Sequence, residues 1–274
     1  MSNRILNWKP SPHDPRDFKS IRAVKAPPAI DMPTKFKLDM NIPVYDQGNI
    51  GSCVANSACA CFRYETAQLN KDFSFDPSRL FVYYNARLEQ GWQDEDSGAY
   101  IRDGFKVMNK YGLSLEKVWP YKDTLTALTK TPSSEAYNNA KLSVVSKYAR
   151  VDQTIISIKQ VLLTGAAVSF GFNVYESFYG RWSDTAPFKM PVPKANEELL
   201  GGHAVTIVGY DDDQNSFIIQ NSWGTEWGNN GLFLMPYSFI ITDNADDFWC
   251  IDEIQLKNEN TPDPTVDSVK LIKD

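Results

Sequence analysis

The chain has 274 residues, of which 34 are acidic and 28 basic, giving a formal net charge of -6. These charges are spread along the sequence, so no basic stripe offers the counterion release on which nucleic-acid binding depends. No run approaches the roughly eighteen apolar residues of a membrane span, and prolines and charges fill the start where a secretory core would lie, so a non-secretory, membrane-free setting is expected.

Residues 1–28 are rich in proline and charge, with PSPHDPRD and KAPP as the strongest breakers, and read as an extended strap. Next, SCVANSACACFRYETAQL carries small and apolar residues at helical spacing, with Ser52 as candidate N-cap and Cys53 in the first turn. Helices are also expected over PSRLFVYYNARLEQ, after Asp76 and Pro77, and over AYIRDGFKVMNKYG, closing at Gly112. A polar linker is placed near 122–142, followed by a short helix, TIISIKQVLLTG. Four strand-like runs then follow: AAVSFGF, HAVTIVGYD, SFIIQNSW and GLFLMPY. The expected organisation is a catalytic unit over 29–257, helical over about 41–142 and β-rich over about 143–257, with a polar tail over 258–274.

Four cysteines stand at 53, 59, 61 and 250, in no zinc-like spacing, so no metal or other cofactor is called for. Cys59, Cys61 and Cys250 read as buried free thiols that fill apolar space. Cys53 differs, because a helix N-terminus offers unpaired N–H groups and positive potential that favour a thiolate. The chain holds two histidines: His13 in the strap, and His203, which follows Gly201 and Gly202 at the start of a strand. A hairpin over HAVTIVGYDDDQNSFIIQNSWG would set His203 beside Asn221, whose amide oxygen can hold one ring nitrogen without adding a competing charge. Gln47 and the backbone N–H of Cys53 are candidate donors to an oxyanion, with Gly48 and Gly51 allowing the chain to turn between them.

Together QGNIGSCVANS, GGHAV and NSWGTEWGNNGLF resemble the papain and cathepsin family of cysteine peptidases, with the motifs in the family's order. WPY at 119–121 resembles a further family feature. The resemblance implies an α+β, two-lobe fold, one lobe helical and the other β-barrel-like, with a peptide or protein substrate lying in the cleft between. It implies Cys53 as nucleophile, His203 as acid/base, Asn221 as its orienting partner and Gln47 as oxyanion donor. Trp223 resembles the tryptophan that shields the histidine–asparagine bond and lines the leaving-group side. Gly98 and Ala99 are expected at the edge that binds substrate backbone, with Val168 and Ala204 walling an apolar pocket.

The departures are specific. Ile50 and Val54 stand where the family usually has a cysteine and an aromatic residue, and DEDSGAY at 94–100 replaces the usual cysteine-bearing glycine loop. The usual disulfide framework is therefore missing, which fits a reducing compartment. The short, proline-stiffened opening is similar to that of some bacterial, archaeal and viral members, and is expected to pack along the lobes or over part of the cleft. Endopeptidase action is favoured, because no additional histidine is present to capture a substrate carboxylate. Acyl transfer to another acceptor, and a silent binding protein on the same fold, are the alternatives.

Overall fold

The computed structural model describes residues 4–38, 42–69 and 75–257. The strap contributes a short helix α1 (Arg22–Lys25), and a short strand β1 (Lys35–Lys37) follows it. Helices α2 (Cys53–Leu69), α3 (Arg79–Leu88) and α4 (Ile101–Lys110) form the helical part. Ser78 caps α3 by accepting the N–H of Phe81, and α4 ends before Gly112, whose φ of 83° needs a residue without Cβ strain. The stretch expected to be a polar linker instead holds two short helices, α5 (Leu125–Leu128) and α6 (Ser134–Ala140). Thr124 and Ser133 cap them, a local signal that the polar composition concealed.

The second half carries β2 (Ser143–Arg150), α7 (Ile155–Leu163), β3 (Val168–Tyr175), β4 (Leu199–Asp211), β5 (Ser216–Gln220), β6 (Leu232–Pro236), α8 (Tyr237–Ile240) and β7 (Ala245–Leu256). The strands form one sheet in the order β2-β7-β3-β4-β5-β6, with β1 pairing on β4. The sheet is antiparallel in its strand pairings and runs open from β2 to β6, so the β-rich lobe is a curved α+β sheet that does not close on itself. Strands β2 and β7 were not expected. They form the outer pair, and register shifts interrupt the alternation that a sequence reading depends on.

Helix α2 joins the two halves. It is buried on nearly all sides, which is why its sequence is small and apolar around the whole circumference. Its polar contacts with the sheet are few and specific. The Ser57 hydroxyl donates to the Val205 carbonyl at 2.8 Å and pairs with Ser169 and Thr206, while Tyr64 Oη donates to Gln220 at 2.7 Å. Buried groups of this kind fix where one element docks on another, because misplacing any of them leaves it unpaired. The start of α2 is thereby held against β4.

Candidate active site

Cys53 is the first residue of α2 and is fully buried. The carbonyl of Ser52 accepts the N–H of Asn56 at 3.0 Å, as an N-cap residue's does, while the Ser52 hydroxyl pairs with Tyr121 and Asn56. His203 lies on β4, and its Nε2 is 2.8 Å from Asn221 Oδ1. That oxygen also accepts the N–H of Ser222 at 2.8 Å, so it is an acceptor and Nε2 carries the proton. The tautomer leaves Nδ1 with a lone pair, and Nδ1 is buried with no protein partner among the described residues. The next residue, Ala204, directs its backbone N–H at the Cys53 sulfur, which brings the thiol and the histidine strand together.

Trp223 covers the histidine, with ring centroids 5.1 Å apart, and stacks in turn on Tyr179. Gln47 Oε1 accepts from the Ser222 hydroxyl at 2.8 Å, and its Nε2 donates to Ile50 O at 3.0 Å and, more weakly, to Ile5 O at 3.4 Å. The residues picked out as a constellation, Gln47, Cys53, His203, Asn221 and Trp223, therefore converge on one seam between α2 and the sheet.

The strap runs through that seam. Arg4 pairs with Asp46 at 2.9 Å and donates to the Gly48 carbonyl, and the Ile5 carbonyl sits on the Gln47 amide. The N–H of Asn7 is directed at the Cys53 sulfur, and Trp8 donates its N–H to Gly202 O at 2.9 Å. Beyond the seam, Ser11 donates to Asp247 at 2.6 Å and Arg22 to Glu65 at 2.8 Å, fastening the rest of the strap to the sheet and to α2. These contacts lay the strap across the seam beside Cys53.

This cover changes the electrostatics expected from the sequence. Burial pushes the Cys53 thiol up to about 11, outweighing the backbone N–H groups of Ala204, Val54, Asn7 and Cys53 itself. Burial also lowers His203 to about 4, against the opposing effect of its bond to Asn221. With the strap in place burial favours the neutral form of each group. Desolvation removes the stabilisation that water would give to either charge.

The expected pocket residues fare unevenly. A Cβ on Gly98 would overlap the Asn7 carbonyl, so Gly98 does meet an extended peptide, whereas Ala99 is turned into the core. Val168 is misplaced: it pairs with Ile207 and Cys250 and belongs to the core. Strand alternation puts Gly171 on the opposite face, and Trp8 lies against Gly171 and Gly202. Ala204, opposite Gly171 on β4, acts through its N–H on the thiol. The sequence signal that was missed is a glycine inside a buried strand, which marks close approach by another group.

A family model described as papain family cysteine protease matches residues 26–240. The chain belongs to that family. Among the relatives of this papain-family protease, an uncharacterised peptidase C1-like protein of Acanthamoeba polyphaga mimivirus is 43% identical, over 80% of this chain and 72% of its own length. A cathepsin B-like protein of Giardia intestinalis is 28% identical over 75% of this chain and 69% of its own. Xylellain, a cysteine protease from Xylella fastidiosa, superposes with a TM-score of 0.82 at 39% identity, covering 94% of this chain and 99% of its own. Bromelain from Ananas comosus, at 19% identity and a TM-score of 0.58, shares the fold. The protein is thus a papain-like cysteine peptidase, a hydrolase with peptide or protein substrates. Cys59, Cys61 and Cys250 are buried free thiols, and no helix among the described residues is long and apolar enough to cross a membrane.

Proposed function

We propose that this papain-family protease is an endopeptidase in which Cys53 attacks the substrate carbonyl, and that the form described here is latent because the strap fills the cleft. The observation that carries the reading is the state of His203: Nε2 is committed to Asn221, and Nδ1 is left as a buried, unpartnered acceptor on the strand whose next N–H reaches the Cys53 sulfur. Once the strap leaves and water enters, the desolvation that holds both groups neutral is relieved. The thiol proton passes to Nδ1, and the helix end and the imidazolium favour the thiolate.

In the acylation step the Cys53 sulfur adds to the carbonyl carbon. The oxygen takes the negative charge toward the Cys53 N–H and the Gln47 amide, and Nδ1–H is given to the departing amine. Water then cleaves the thioester with His203 as base. Asn221 keeps the ring in the Nε2–H tautomer throughout, and Trp223 keeps water from competing for that bond.

Endopeptidase action is supported by the strap itself, which extends to both sides of Cys53, from Arg4 beside Asp46 to Lys9 beside Tyr100. A cleft that accepts chain in both directions suits cleavage within a polypeptide. The test is intact-mass analysis after exposure to a peptidyl epoxide, comparing the wild-type chain with Trp8→Ala, Cys53→Ala and His203→Ala. A single adduct on Cys53, faster in Trp8→Ala and lost in the other two, is expected. An adduct that forms equally well in His203→Ala would overturn the assignment of the base.

A further inference from the structure

Neither the turn before Cys53 nor the DEDSGAY loop at 94–100 offers a cysteine to the other, yet these two segments are held together here. The Asp96 carboxylate accepts the N–H of Gly51, two residues before Cys53, with its oxygens at 3.0 and 3.1 Å. The same carboxylate accepts the phenol of Tyr83, a fully buried residue of α3. The phenol oxygen in turn accepts the N–H of Gly98 at 3.2 Å. Gly98 has a φ of 73° and presses on the Asn7 carbonyl of the peptide in the cleft, while the Asp96 carbonyl accepts the Asn7 side-chain amide at 2.8 Å.

The loop that carries these groups is braced from behind. Arg87, buried with its guanidinium 4.1 Å from the Tyr83 ring, donates to the carbonyls of Gln93, Glu95 and Leu128. A planar guanidinium with several donors is suited to tying carbonyls of this loop to one from α5.

We propose that Asp96 and Tyr83 are positioning residues that set the substrate-binding edge at Gly98 in register with the nucleophile at Cys53, through the continuous chain Gly51–Asp96–Tyr83–Gly98. The inference rests on the peptidase reading of Cys53. Two hydrogen bonds to one carboxylate and a third to the phenol, part-buried to buried, are short-ranged and directional, so they can fix a register as a covalent tie does while remaining indifferent to reductant. Its expected effect falls on the grip of the extended peptide and spares the chemistry at sulfur, because neither residue touches the reacting atoms.

The experiment uses the full-length chain with Trp8→Ala throughout, so that the strap competes equally and less strongly in every variant, and adds Tyr83→Phe or Asp96→Ala. Two probes are compared: iodoacetamide, which needs only the thiolate, and a peptidyl epoxide, which must lie along the edge. In Tyr83→Phe the half-saturation concentration of the epoxide and the KM of a peptide substrate are expected to rise about tenfold, the loss of one or two buried hydrogen bonds. The limiting inactivation rate, kcat and the iodoacetamide rate are each expected to stay within about twofold. Asp96→Ala is expected to move the same constants further, and the double variant to add little to it.

An unchanged half-saturation constant in Tyr83→Phe overturns the proposal, as does a loss of iodoacetamide reactivity in parallel with it. A Trp8→Ala parent that reacts with iodoacetamide but not with the peptidyl epoxide overturns the peptidase reading and this one together. A parent that reacts with both, with variants that do not differ from it, overturns this one alone.

Discussion

The indole of Trp8 occupies the space that a side chain on Gly171 would need. Gly171 lies within β3 between Phe170 and Phe172 and has no left-handed backbone to explain it, so its role is to leave room. Burying an indole contributes about 4–6 kcal/mol from area alone. The Trp8 Nε1 is buried without a partner among the described residues, however, which takes back about 1–3 kcal/mol. On this balance Trp8 contributes a net hold on the strap that a substitution can weaken.

Trp8→Ala is expected to speed reaction of Cys53 with a peptidyl epoxide by about ten- to a hundredfold, the range set by losing most of that net burial. Second-order inactivation rates of the two full-length chains measure it. Equal rates would show that the strap is held mainly by its other anchors, Arg4, Ser11 and Arg22.

Gly171→Val should both loosen the strap and narrow the pocket. We expect faster reaction with probes carrying glycine or alanine at the pocket position, and slower reaction with probes carrying phenylalanine or tryptophan. The ratio of the two rates is the readout, because a general loss of stability would lower both.

The pH dependence follows from burial. With the thiol pushed up to about 11, the iodoacetamide rate of the wild-type chain should still be climbing at pH 10. In Trp8→Ala, where the helix end and His203 act on a hydrated thiol, the rate should level off below about pH 8. Superimposable profiles would mean that the strap does not control ionisation.

Stability should carry a related signature. His203 is lowered from 6.5 to about 4 in the covered fold, so between those values the unfolded chain takes up a proton that the folded chain does not. The stabilisation is present above about pH 6.5 and is lost as pH falls toward about 4, on the order of 3 kcal/mol. Stabilities from denaturant melts of wild type and His203→Gln should diverge by about this amount in total across that window, and parallel curves would refute the assignment.

The sequence by itself determined the family and named the residues that meet at the seam. Cys53 at a helix start, a histidine after two glycines, Asn221 in NSWG and Gln47 before a glycine turn are local signals, each tied to a backbone feature within a few residues. Helices α2, α3 and α4 and the hairpin β4–β5 were legible for the same reason: periodicity and capping are short-range. The tail over 258–274 lies outside the described residues.

Only the tertiary structure decided how the site is covered and how it is aligned. The strap's place depends on Trp8 meeting Gly171, and the register of the cleft edge depends on Asp96 meeting Gly51 and Tyr83, pairs separated by up to 163 positions. Nothing in the local sequence of an aspartate or a strand glycine announces such a partner. The ionisation of Cys53 and His203 was hidden likewise, because it is set by the absence of water, and what excludes water from the site is a segment from the far end of the chain.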